Sequence, residues 1–212
     1  MQKEIYLTQE NKAGKVVGMT AYHMKGLERL KEFPELVKLK LTGGEINDFG
    51  ALQYCPKLNV LEIGLTEIYD FSSLGENQSI KDLTLAGYYE NVTETVVKME
   101  QLECFSFIYG TASNPGKLQA LKKLRYLYLD KVENVSDLME ILSLKNLTRL
   151  KLNMPRECEQ KEIDIFLASL KEQLPGLNWL KLGLRSHEFH PETLKGLKLK
   201  HFSVTGKDFV IA

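Results

Sequence analysis

The sequence predicts an α/β solenoid, a stack of short parallel strands whose return segments are brief helices or loops. Three observations predict it. A six-residue phrase, apolar at its first, fourth and sixth positions, recurs eight times between Leu36 and Val204. Its starts fall at Leu36, Leu58, Ile80, Leu102, Leu124, Leu147, Leu177 and Leu199, with successive spacings of 22, 22, 22, 22, 23, 30 and 22 residues. In each phrase the fourth and sixth residues stand two apart, so on a strand they share one face. One repeat cannot cover that face alone, whereas a stack of repeats buries it continuously. Between the phrases lie helix-start signals rather than hairpin turns, which is what a parallel sheet requires.

Each element follows in order. Ile5–Thr8 and Val16–Thr20 read as a hairpin around Asn11–Gly14. Counting back 22 residues from Leu36 sets Val17 and Met19 in register with the interior, making the second arm a degenerate first repeat. Leu27, Leu30 and Phe33 then form a short amphipathic helix. Residues 1–35 are thus an N-terminal cap, 36–204 carry eight repeats, and 205–212 close the last strand through Asp208–Ala212. The whole, 1–212, is expected to be a single domain. Among the returns, Asn91 with Glu94 reads as a capping box before Val96, Val97 and Met99. Asn114-Pro115 and His190-Pro191 place a proline at a helix start. Ser136 or Asp137 caps Leu138, Ile141 and Leu142. In the 30-residue repeat, Ile163, Phe166, Leu167, Leu170 and Leu174 recur at helical spacing until Pro175-Gly176 stops them.

Phrases such as Leu58-Asn-Val-Leu61-Glu-Ile63 and Leu124-Arg-Tyr-Leu127-Tyr-Leu129 resemble those of the leucine-rich-repeat family, and the resemblance covers Leu36 to Val204. Ile46-Asn-Asp48-Phe49 and Ile68-Tyr-Asp70-Phe71, followed by Leu52 and Leu74, are similar to the 22-residue class of bacterial internalins and of a cytosolic regulator of protein phosphatase. The resemblance implies a right-handed superhelix with a curved parallel β-sheet on its concave face and short helices on its convex face. It departs from the family at the ninth position, usually Asn, which here holds Gly44, Thr66, Tyr88, Gly110, Val132, Pro155, Arg185 and Lys207.

If positions one, four and six point inward, positions three and five point out of the sheet. Column three reads Lys38, Val60, Asp82, Cys104, Tyr126, Arg149, Trp179 and His201. Column five reads Lys40, Glu62, Thr84, Ser106, Tyr128, Lys151, Lys181 and Ser203. From the fourth repeat onward Tyr109, Tyr126, Tyr128, Arg149, Lys151, Trp179, Lys181 and His201 gather on this face. Exposed Trp, Tyr and Arg are the composition of a protein-binding hot spot. A sheet also uses aromatic residues for cross-strand packing, so the same cluster has a purely structural reading.

Composition narrows the alternatives. Lys plus Arg number 28 and Asp plus Glu number 28, so there is no global basic field to draw nucleic acid or an anionic membrane. No run approaches the roughly 20 apolar residues of a membrane span, and Met1–Tyr6 begin without an apolar signal core. The expected location is cytoplasmic. Cys55, Cys104 and Cys158 are odd in number and widely spaced, unlike a disulfide framework. The N-x-S/T sequences at Asn77, Asn91, Asn134 and Asn146 would then be fortuitous.

Two places hold residue types that could carry chemistry. His187-Glu-Phe-His190 sets two histidines three apart in a return loop, short of the third ligand a metal site needs. Cys104 would need a base, and His201 lies four strands away, about 19 Å at ordinary strand spacing. There is no glycine-rich phosphate loop and no nucleophile elbow. No cofactor, metal or small-molecule substrate is implied. The expectation is a non-enzymatic module that docks another protein on its concave face as a regulator or inhibitor. The alternatives are a scaffold without a dedicated partner and an exported, internalin-like adhesin.

Overall fold

The computed structural model describes residues 3–185 and 187–205, and the backbone of 207–209. The chain divides into two compact units, Met1–Glu103 and Cys104–Ala212. Each is an open, mostly parallel sheet with short helical returns.

In the first unit β1 (Ile5–Glu10) pairs antiparallel with β2 (Val16–Lys25), the hairpin the sequence predicts. Parallel pairing continues from β2 through β3 (Lys38–Ile46) and β4 (Val60–Gly64) to β6 (Asp82–Ala86). The short β5 (Glu67–Ile68) pairs with the far end of β3. The repeat phrase sets the register. Leu39, Leu61 and Leu83 form one inward row and Leu41, Ile63 and Leu85 the next, each at most 1% exposed. A slip of one residue would turn both rows to solvent, so burial pins the alignment.

The cap departs from the expected count. Met19 pairs with Leu39 and Ala21 with Leu41, an offset of 20 residues rather than 22. Val17 is only half-buried, and Met19 takes the fourth position while Ala21 takes the sixth. The expected helix after it is a single 3-10 turn, Glu28–Glu32, that buries Leu30. Further 3-10 turns at Gly50–Tyr54 and Ser72–Glu76 bury Leu52 and Leu74, and α1 (Val92–Val96) fills the next return. Asn91 does not form the expected capping box. It sits at φ 52, and its carbonyl rather than its side chain accepts from Thr95.

The missing asparagine is replaced residue by residue. The Thr66 hydroxyl donates toward the carbonyls of Gly43 and Gly64, at 3.3 and 3.2 Å. Gly44 lies at φ +90, and a Cβ there would stand 2.3 Å from the Met24 carbonyl oxygen. At the eighth position the chain turns left-handed at Gly43 and Leu65, and at His23 in the register of the cap.

In the second unit β7 (Cys104–Ala112), β8 (Tyr126–Val132), β9 (Arg149–Asn153), β10 (Trp179–Gly183) and β11 (His201–Val204) are parallel neighbours in that order. Phe105, Leu127, Leu150, Leu180 and Phe202 stack inward, none more than 2% exposed. β12 (Lys207–Phe209) turns back antiparallel along β11, as the closing strand of the sequence reading does. Residues 210–212 of that expected closure lie outside the described residues.

The returns carry α2 (Val135–Glu140) and α3 (Gln160–Gln173), with 3-10 turns at Pro115–Ala120, Ile141–Ser143 and Pro191–Leu194. α2 is capped by Asn134, whose side chain accepts from the Asp137 N–H, not by Ser136 or Asp137. α3 buries Ile163, Phe166, Leu167 and Leu170, as its spacing predicts. It absorbs the long repeat without disturbing the ladder, since Leu150 pairs directly with Leu180, 30 residues on.

Candidate functional site

Four parallel strands of the second unit present the outward columns. Tyr126 pairs with Arg149, Arg149 with Trp179, and Trp179 with His201, so column three is one continuous row. Tyr128, Lys151, Lys181 and Ser203 form the row beside it. Arg149 is exposed, whereas Tyr126, Tyr128, Lys151, Trp179, Lys181 and His201 are half-buried. Leu127 and Leu180, each next along the chain, are fully buried. The alternation therefore places every strand residue of the predicted cluster on the solvent side.

The row is held by its own contacts. The Arg149 guanidinium lies 5.1 Å from the Tyr126 ring centre and 5.2 Å from that of Trp179. Tyr126 and Trp179, two strands apart, lean together edge to face at 6.3 Å. His201 stacks on Trp179 at 5.2 Å and 13°. In the second row the Lys151 ammonium sits 3.6 Å above the centre of Tyr128. Such cation–π and stacked pairs contribute about 0.5–1.5 kcal/mol each and fix rotamers that would otherwise be lost on binding.

Asp130 organises the end of the second row. It accepts from Asn153 Nδ2 at 2.6 Å, from the Tyr128 hydroxyl at 3.4 Å and from the Tyr109 backbone N–H at 3.3 Å. Burial pushes the Tyr128 hydroxyl up to about 12, and the Asp130 charge adds to it. Burial lowers Lys151 from the usual lysine value, and the neighbouring Lys181 charge lowers it further. Tyr109 joins the cluster from the irregularity within β7 between Phe107 and Thr111, left-handed at φ 68 and 53% exposed. Its conformation has no glycine signature in the sequence, so its orientation was not legible there.

Two outward assignments are corrected. Ser106 and Ser203 are 8% and 1% exposed. Their side chains are short, and each stands beside a tall neighbour, Tyr128 for Ser106 and Lys181 for Ser203. Sequence alternation gives direction but not height.

The cysteines and histidines fall apart as chemical groups. Cys104 and His201 are separated by four strand intervals, the order β7–β8–β9–β10–β11. The Cys55 thiol donates to the Phe33 carbonyl at 3.4 Å, and burial pushes it up to about 11, far from a nucleophilic thiolate. Burial also raises Cys158. His187 meets the carbonyls of Leu184 and Cys158, while His190 meets Asp164 at 3.0 Å, so the two rings turn to different partners. Among the described residues no three His, Cys, Asp or Glu side chains gather as metal ligands.

One surface was missed from sequence. In the first unit Leu65, Tyr69 and Tyr88 are 70%, 68% and 81% exposed around a groove floored by Phe71 and Tyr89, whose rings stack at 5.8 Å. These residues follow the strands rather than lie in them, where the two-residue alternation carries no information.

The chain has a leucine-rich-repeat fold with an aromatic and basic sheet face. No protein-family model and no curated protein matches the sequence. Among solved structures the chain is similar to internalin C2 of Listeria monocytogenes, with 21% identity, a TM-score of 0.67, and coverage of 90% of this chain and 81% of that one. It is also similar to a second internalin of that organism, InlF, with 17% identity, a TM-score of 0.58, and coverage of 91% and 72%. Identities this low carry the fold, and function must be argued from this chain's own surface.

Proposed function

We propose that the chain is a non-enzymatic protein-binding module that docks a partner protein on the outward sheet face of its second unit, as a regulator or inhibitor in the cytoplasm. The observation that carries this reading is the row Tyr126, Arg149, Trp179 and His201. Its side chains are partly exposed, stacked on one another and set on strands whose inward rows are fully buried. A surface preset in this way orders little on binding, so more of the contact energy appears as affinity. Trp, Tyr and Arg are also the residues that most often dominate such interfaces. The separation of Cys104 from His201 supports a binding rather than a catalytic role. The 22-residue spacing supports membership of the internalin-like class. Three cysteines without a disulfide support a reducing compartment; a leader sequence upstream in the gene would replace that part of the reading.

A scaffold reading rests on the same stacking, because the row already satisfies itself. The two separate in a pull-down from the native cell using wild type, Trp179→Ala and Tyr128→Ala. Docking predicts a partner held by wild type and lost by both variants while their circular dichroism stays native. Recovery of the same proteins by all three would leave only the scaffold.

A further inference from the structure

We propose that Lys151 and Lys181 form a seat for carboxylates, so that the partner docked on this face presents an acidic segment, with Arg149 as the neighbouring donor. The inference rests on the docking reading above and specifies the chemistry of its partner.

The argument begins with how the same columns are filled in the first unit. There Lys38 and Lys40 converge on Glu62, at 2.5 and 3.4 Å, so two outward cations share a carboxylate on the adjacent strand. The second unit places Lys151 directly beside Lys181 in the parallel register of β9 and β10. Their Cα atoms are then neighbours at about 4.8 Å, and like charges at that spacing destabilise a sheet. Among the described residues neither lysine, nor Arg149, forms a salt bridge. Asp130, at the end of the row, is engaged by Asn153, Tyr128 and Tyr109. The fold therefore maintains an electrostatic cost that an incoming anion relieves, which is the signature of binding chemistry rather than of sheet packing.

The neighbouring groups aim that charge. Tyr128 carries the Lys151 ammonium on its ring face, and Tyr126 and Trp179 flank the Arg149 guanidinium. A guanidinium fixed in this way is suited to a carboxylate, which it can meet with two parallel N–H bonds. The same contacts argue against single-stranded nucleic acid. Trp179 lies between Arg149 of β9 and His201 of β11, so this chain covers the ring surface on which a base would stack.

The test uses the full chain and three fluorescent probes: a hexaglutamate peptide, a hexalysine peptide and an oligothymidylate of matched charge. Anisotropy should show binding of hexaglutamate, weakened by salt and weakened roughly tenfold in Lys151→Gln and Lys181→Gln. Lys181→Gln should melt at or above the wild-type temperature, because it relieves the lysine–lysine repulsion and leaves the Lys151–Tyr128 contact in place. No binding of hexaglutamate, equal binding by the variants, or tighter binding of the oligothymidylate overturns the proposal. A partner lost by Trp179→Ala yet retained with undiminished affinity by Lys151→Gln and Lys181→Gln would overturn the carboxylate seat and leave the docking reading standing.

Discussion

Trp179 and Leu180 are adjacent in sequence and opposite in consequence. Trp179→Ala removes the stack on His201 and one flank of Arg149, with an expected loss near 1 kcal/mol in urea unfolding. Leu180→Ala opens a cavity in a row where nothing is exposed, and the same measurement should lose about 2–5 kcal/mol. Equal losses would mean that the outward row belongs to the core. Tyr128 offers a second measurement, since its hydroxyl is pushed up to about 12 by burial and by Asp130. In an absorbance titration Tyr128→Phe should delete the component that ionises last. The sign follows from the raised value: the contribution of this group to stability is complete below about 10, the ordinary tyrosine value, and disappears as pH rises toward 12. That Trp179, Tyr126 and Tyr128 face solvent was legible, because leucines two apart settle the direction of what lies between them. The burial of Ser106 and Ser203 was not, because it depends on the length of side chains one strand away.

α3 is the element with the most local support. The Glu162 carboxylate accepts from the Glu159 N–H at 2.8 Å, closing the first turn. Glu162→Ala should cost about 0.5–2 kcal/mol, measurable by thermal unfolding; no change would mean the bond contributes nothing. Gln160 and Asp164 of the same helix hold the following loop through Glu188 and His190. The hydrogen bond to Asp164 raises the His190 pKa, and the Asp164 charge adds to it. Its folded value thus lies above 6.5, so the tie is complete below that pH and weakens as pH rises through the folded value. Amide exchange across 187–194, corrected for intrinsic rate, should quicken over that interval in wild type and show no such step in His190→Asn. The span of α3 was legible from Ile163, Phe166, Leu167 and Leu170, but its cap was not, nor was that of α2. Ser, Asp and Asn compete within a few residues of α2, and only the turn geometry selected Asn134.

For the chain as a whole, the expected repeat phrase is present as a ladder in both units, with the 30-residue insertion absorbed outside it. The 20-residue step into β2 was hidden because Val16, Val17, Met19 and Ala21 offer two apolar alternations and only pairing chooses between them. β1 covers the outer edge of β2 with antiparallel bonds, and an uncovered edge strand invites association. Removing residues 1–10 should give a species that elutes earlier than the full chain on size exclusion, increasingly so with concentration. An unchanged elution would show that β2 needs no cover. The alternation within each strand has one more consequence. Residues that hold the ladder and residues that meet a visitor are separate sets, interleaved one by one along the same segments. Randomising Tyr126, Tyr128, Arg149, Lys151, Trp179 and Lys181 would leave every inward leucine in place. The fold can therefore acquire new specificities, by natural drift or by library selection, without having to rediscover how to fold.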